Sequence, residues 1–233
     1  MSADRFQAHA AAIERYRDAA VRFVPARAGV IGARPIRVAR TLVTCGLTAA
    51  TLSELAVPAE ADAAYAMVNV HNPASPLFFD AREQRWNCSP QVAAHPVWGI
   101  NWIGAVLLSA ALGARLPTEF EWECFASNND PARPYPWGDM EPTPGLANFG
   151  EHLGGPCDVA LFPPSELGLH DLAGNLFEWC ADSCDGDACP RLERVVKGGA
   201  WSKDAHHLLI RARRCKWARL GTTTIGFRPV WDD

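Results

Sequence analysis

Apolar positions along this chain change period repeatedly, and no periodic stretch runs for long. Phe6, Ile13, Tyr16 and Ala20 share one face of a helical pattern, among charges too evenly spread for a secretion signal. "VRFVP" and "PIRVAR" then alternate apolar and polar residues as half-buried strands do, and "TAATLSEL" (Thr48 to Leu55) returns to a helical period. From Ala56 to His95 the periodicity fades. Pro58, Pro73, Pro76 and Pro90 punctuate that segment, which predicts loops with short strands around "AYAMVNV".

The most apolar run, "VWGINWIGAVLLSAALGA", spans Val97 to Ala114. Gly99 and Asn101 interrupt its start and Arg115 and Pro117 close it, so it predicts a buried helix from Asn101 rather than a membrane span. Immediately afterwards, "RLPTEFEWECFA" carries a helix start. Thr118 can accept from the first turn while Glu121, three residues on, reaches back to the cap N–H. The chain then runs irregular and proline-rich from Asn128 to Pro156, and a long irregular segment inside a compact domain points to function or a bound ion. "RVVKGGAWSKDAHHLLIRARR" and "TIGFRPVW" read as two β-rich segments, with Gly198 and Gly199 supplying backbone freedom at a bend.

Composition narrows the function classes. With 233 residues, 48% of them hydrophobic, the chain can bury a core, and a net charge of −4 leaves no basic field for nucleic acid. The basic run "RARRCKWAR" (Arg211 to Arg219) is therefore expected to be a solvated or pocket-lining strand. Eight cysteines without an export signal point to a cytoplasmic protein with mostly buried thiols. The cluster Cys180, Cys184 and Cys189 matches no zinc spacing and predicts structural thiols, or one local disulfide where the compartment oxidises.

The segment "GLHDLAGNLFEWC", Gly168 to Cys180, places two carboxylates around a Gly-Asn turn. In a loop-rich fold such groups suit a hard cation, which takes roughly six to eight oxygens from carboxylates and carbonyls. Taken in order, "RLPTEFEWE", "YPWGD", "GLHDLAGNLFEWC", "VVKGGAWS" and "IGFRPV" make the chain similar to the formylglycine-generating enzymes, or sulfatase-modifying factors. The likeness runs from about Arg22 to the end.

That resemblance implies an α+β, C-type-lectin-like fold with little regular secondary structure, two core helices, small antiparallel sheets and long ordered loops. It would comprise a helical extension over residues 1–21 and a single domain over 22–233. It also implies a structural calcium held by Asp171, Gly174, Leu176 and Glu178, and a second calcium at Asn148 and Phe149, whose completing loop "HLGGPCDVALFPPS" is short here. The family's copper is held by two thiolates, and the matching positions here are Lys203 and Leu208. Neither supplies the soft donor that Cu(I) requires, and Cys215 alone makes no pair, so the formylglycine reaction is not expected.

Two functions follow. The expected one is a repurposed metal-dependent oxidoreductase or tailoring enzyme acting on a small molecule or peptide. Its groove would be formed by Trp201, Lys203, His206, His207 and Arg214, where one imidazole could serve iron or copper. As strand neighbours, His206 and His207 would face opposite ways and could not both bind one ion. The alternative is a non-catalytic C-type-lectin-like binding module. Its C-terminal strand and loop, with Arg213, Arg214, Lys216 and Arg219, would meet an anionic partner.

Overall fold

The computed structural model describes residues 3–26, 34–58, 67–68, 73–184 and 192–233. Most of the strand expected around Tyr65, and Cys189, lie outside them. Four α-helices occur among the described residues: α1 (Ala3–Asp18), α2 (Cys45–Glu54), α3 (Trp102–Ala111) and α4 (Glu119–Ser127). The strands are β1 (Val21–Phe23), β2 (Ile36–Val38), β3 (Leu77–Asp80), β4 (Arg85–Cys88), β5 (Phe177–Ser183), β6 (Glu193–Lys197), β7 (Arg214–Trp217), β8 (Ile225–Gly226) and β9 (Val230–Asp232). They form small sheets in the orders β1-β2-β9, β3-β4 and β7-β6-β5-β8.

Helix starts follow the local chemistry. Asn101 accepts from the Gly104 N–H at 2.8 Å and Thr44 from the Leu47 N–H at 3.2 Å, so α3 and α2 each begin on a side-chain cap. At α4 the reciprocal pair forms: Glu121 N donates to Thr118 Oγ1 at 3.1 Å, and Thr118 N donates to Glu121 Oε2 at 2.8 Å. The end of α4 turns on Asn128, which adopts a left-handed φ of 54°.

Two large apolar clusters, and a smaller one around Leu208, fill the interior. One joins α2 and α3 to Trp86, Trp179 and Phe227, and the other joins α4 to β1, β2 and the Leu169–Leu172 turn. The N-terminal helix packs on the first through Ile13 and Tyr16. Tyr16 also donates to the Thr41 carbonyl at 2.8 Å and meets Trp231 edge-on.

Three features depart from the sequence expectation. The β3–β4 hairpin falls in the segment read as loop, because Phe79 and Trp86 pair across it with too few flanking residues to show a period. One pairing in the main sheet is parallel, with Phe177 opposite Ile225 and Glu178 opposite Gly226. His206 and His207 lie on a 3-10 turn, Ala205–Leu208, and not on a strand, because Asp204 caps that turn through the His206 N–H.

Candidate functional site

The Asp171–Glu178 segment is built from left-handed turns. Asp171, Gly174 and Asn175 have φ of 57°, 81° and 58°, which folds the chain tightly over residue 148. Asn175 N donates to the Asn148 carbonyl at 2.8 Å, and a Cβ on Gly174 would lie 2.4 Å from that same oxygen. Only glycine satisfies both the dihedral and the approach. The Asn175 amide then clamps the next loop, accepting from Cys157 N and donating to Cys157 O, each at 3.1 Å.

The Glu178 carboxylate is fully buried, and Oε1 accepts from Arg228 Nη2 at 2.7 Å and Nε at 3.1 Å. Oε2 accepts from Arg228 Nε at 3.1 Å and Trp122 Nε1 at 2.8 Å. Three donor groups make these four contacts, Arg228 Nε being shared between the two oxygens, so the carboxylate is committed to a buried guanidinium and an indole. Arg228 is itself completed by the carbonyls of Ala39, Arg40 and His170.

The other implied donors differ. Asp171 Oδ2 accepts from Ala160 N at 2.8 Å, while Oδ1 is buried without a partner. Burial pushes the Asp171 carboxyl above the usual aspartate range, against the pull of the Ala160 N–H and of Arg228. Asn148 Oδ1 is likewise buried and unpartnered, its amide nitrogen being spent on Gly155 O and Cys157 Sγ. The Phe149 carbonyl is already taken by His152 Nδ1 at 2.6 Å. Two oxygens of the implied calcium sites, Asp171 Oδ1 and Asn148 Oδ1, thus fit a hard cation, the Phe149 carbonyl keeps a second lone pair beside its contact with His152, and Glu178 is committed to Arg228 and Trp122. No group of three or more His, Cys, Asp or Glu among the described residues forms a metal set.

The copper positions hold no metal chemistry. Leu208 is fully buried against Tyr135, Ala147 and Ala173, and Lys203 is held by its backbone, its carbonyl accepting from Gly150 N at 2.8 Å. Cys215 is bonded to Cys184, a pairing 31 residues apart that the β5–β6–β7 sheet brings together. Cys180 is fully buried, and burial raises its thiol well above the ordinary range.

Of the residues expected to line the groove, His207 and Arg214 meet. Asp204 Oδ1 lies 2.8 Å from His207 Nδ1, and Arg214 Nη2 lies 3.3 Å from His207 Nε2. A guanidinium has no lone pair, so Nε2 is the acceptor and the ring proton sits on Nδ1, facing the carboxylate. The His207 ring holds the Asp204 carboxyl below the usual range, and Phe177 packs edge-on to that ring at 6.2 Å. Trp201 is fixed by its ring N–H to the Thr223 carbonyl at 3.1 Å, and His206 is exposed and outside this arrangement.

A family model for the sulfatase-modifying factor enzyme 1-like domain matches residues 43–233. The chain belongs to that family. Among curated relatives, the formylglycine-generating enzyme of Thermomonospora curvata is 34% identical over 171 residues, covering 59% of this chain and 56% of its own length. The hercynine oxygenase of Mycolicibacterium thermoresistibile is 42% identical over 161 residues, covering 59% of this chain and 36% of its own. This family member spans only part of the curated relatives it matches, 26% of the first and 56% of the formylglycine-generating enzyme. The crystal structure of CarF superposes with a TM-score of 0.64 at 20% identity, covering 85% of this chain and 87% of that one, a likeness of fold.

Sequence reasoning missed several members of the site. Arg228 stands in "GFRPV", between β8 and β9, where a cation among apolar residues signals a buried partner. Lys197 is also fully buried, 2.7 Å from Glu123 Oε1 and 3.5 Å from Glu119 Oε1. Asp204, directly before the two histidines, was the available signal for a cap.

Proposed function

We propose that this domain is a tailoring member of its family that works without the copper pair, on a small molecule or peptide bearing a carboxylate or phosphate. The observation that supports this is the Asp204–His207–Arg214 chain, which stands beside positions where the family's thiolates would be. Arg214 is exposed, with Nη1 donating to the Arg213 carbonyl at 3.1 Å and Nη2 to His207, and an oxyanion could draw on its guanidinium by displacing those contacts. An anion that draws Arg214 away uncovers the Nε2 lone pair of His207, already oriented by Asp204 for proton transfer.

The test is titration of the full chain with inorganic phosphate and with acetate, followed through the His207 ring resonances. A saturable shift that disappears in Arg214→Ala is expected, and its persistence in that variant overturns the assignment. A sulfatase-derived cysteine peptide should stay unoxidised with added copper; its conversion would refute the copper-free reading.

A binding module is the second reading, favoured by the edge strand β7, which exposes Arg214, Cys215 and Trp217 together. Under it the phosphate shift survives while no substrate is turned over. We further propose that the two structural calcium sites implied by the resemblance draw on Asp171 and on Asn148 respectively, each of which has a buried unpaired oxygen in support.

A further inference from the structure

A cavity of about 370 Å³ separates the N-terminal helix from α2 and the β3–β4 turn, remote in sequence from the groove residues. Its walls combine the methyl groups of Ala12 and Ala50 with the polar groups of His9, Glu54, Glu83 and Arg85. Such a volume is ordinary for a small-ligand site.

Its electrostatics are unbalanced. Arg85 Nε lies 3.6 Å from Glu83, an ion pair without a hydrogen bond, whereas the Glu54 side chain has no hydrogen bond or ion pair among the described residues. Two carboxylates against one guanidinium leave a negative charge at the cavity. Glu54 is also the last residue of α2, so the negative end of the helix dipole adds to it. His9 Nδ1 is buried and unpartnered, and Glu54 lies close enough to act on that ring. Burial holds His9 below the ordinary histidine range, which keeps the ring a neutral acceptor.

We propose that this cavity binds a primary amine on a short apolar stem, its ammonium between Glu54 and His9 and its stem against Ala12 and Ala50. An ammonium carries three donors and no acceptor, so it satisfies both the unpaired carboxylate and the orphaned imidazole nitrogen. A carboxylate ligand could take the unbonded Arg85 Nε, but Glu54 and Glu83 would repel it. An alcohol would leave the charge uncompensated.

The full chain is titrated calorimetrically with n-butylammonium, n-butanol and butyrate. Saturable binding of the amine alone is expected, weakened about 10-fold or more, roughly 1.4 kcal/mol, by Glu54→Gln and by His9→Phe. Arg214→Ala should leave it unchanged, which separates this site from the groove. Circular dichroism melting establishes that each variant is folded, and His9→Gln replaces His9→Phe if the latter is not. Equal binding of butanol or butyrate, no saturation by the amine, or undiminished affinity in Glu54→Gln overturns the proposal.

Discussion

Arg228 Nη2 lies 2.7 Å from Glu178 Oε1, and neither side chain reaches solvent. Removing one partner of such a pair strands the other as a buried charge. Arg228→Met should therefore lose about 3–5 kcal/mol in urea unfolding. Glu178→Leu combined with Arg228→Met should recover part of that loss, because no ion is then left unpaired. A loss below about 1 kcal/mol for the single variant would mean that the pair does not hold β5 to the segment between β8 and β9.

Asp171 should link calcium to pH. Its folded carboxyl is raised, so without a cation its contribution is present below the unfolded value near 3.9 and is lost as pH rises through the folded one. Calcium requires the ionised form. Its stabilising effect on thermal unfolding should therefore fade on acidification at a pH above the usual aspartate range. Asp171→Ala should abolish the effect and Glu178→Gln should keep it. If Glu178→Gln abolishes it while Asp171→Ala does not, the donor assignment is reversed.

The disulfide between Cys184 and Cys215 closes a loop spanning 31 residues, worth about 3–4 kcal/mol by loop entropy. Reduction should lower the unfolding midpoint accordingly and expose two further thiols to alkylation in the unfolded chain. An unchanged midpoint together with an unchanged alkylation count would show that the bond is absent in solution.

The capping box gives a smaller and more local effect. Thr118→Ala should cost about 1 kcal/mol in chemical denaturation. Glu121 is bound by Arg115 at 2.7 Å as well as by the cap N–H, so Glu121→Gln should cost at least as much. If neither change is felt, the start of α4 is set by packing of Trp122 instead.

What was legible in the sequence was local. Asn101 and Thr118 announce their helices because a cap and its donor lie within one turn, and the ordered motifs revealed the fold. Pairings across the chain were not legible. Glu178 meets Arg228 fifty residues on, and Cys184 meets Cys215 only through an intervening strand. The ion pair of Glu178 is not legible because a motif names a carboxylate but not what the fold sets against it. His206 and His207 were placed on a strand because the capping power of Asp204 was overlooked.

Leu208 has a bearing on how this domain could change. Its side chain fills the space between Tyr135, Ala147 and Ala173, where a thiolate would need room and a soft metal. A cysteine at 208 would thus hollow the interior before any ion arrived to offset the loss. Change comes more cheaply at the solvent-facing side chains around it, which no core contact constrains.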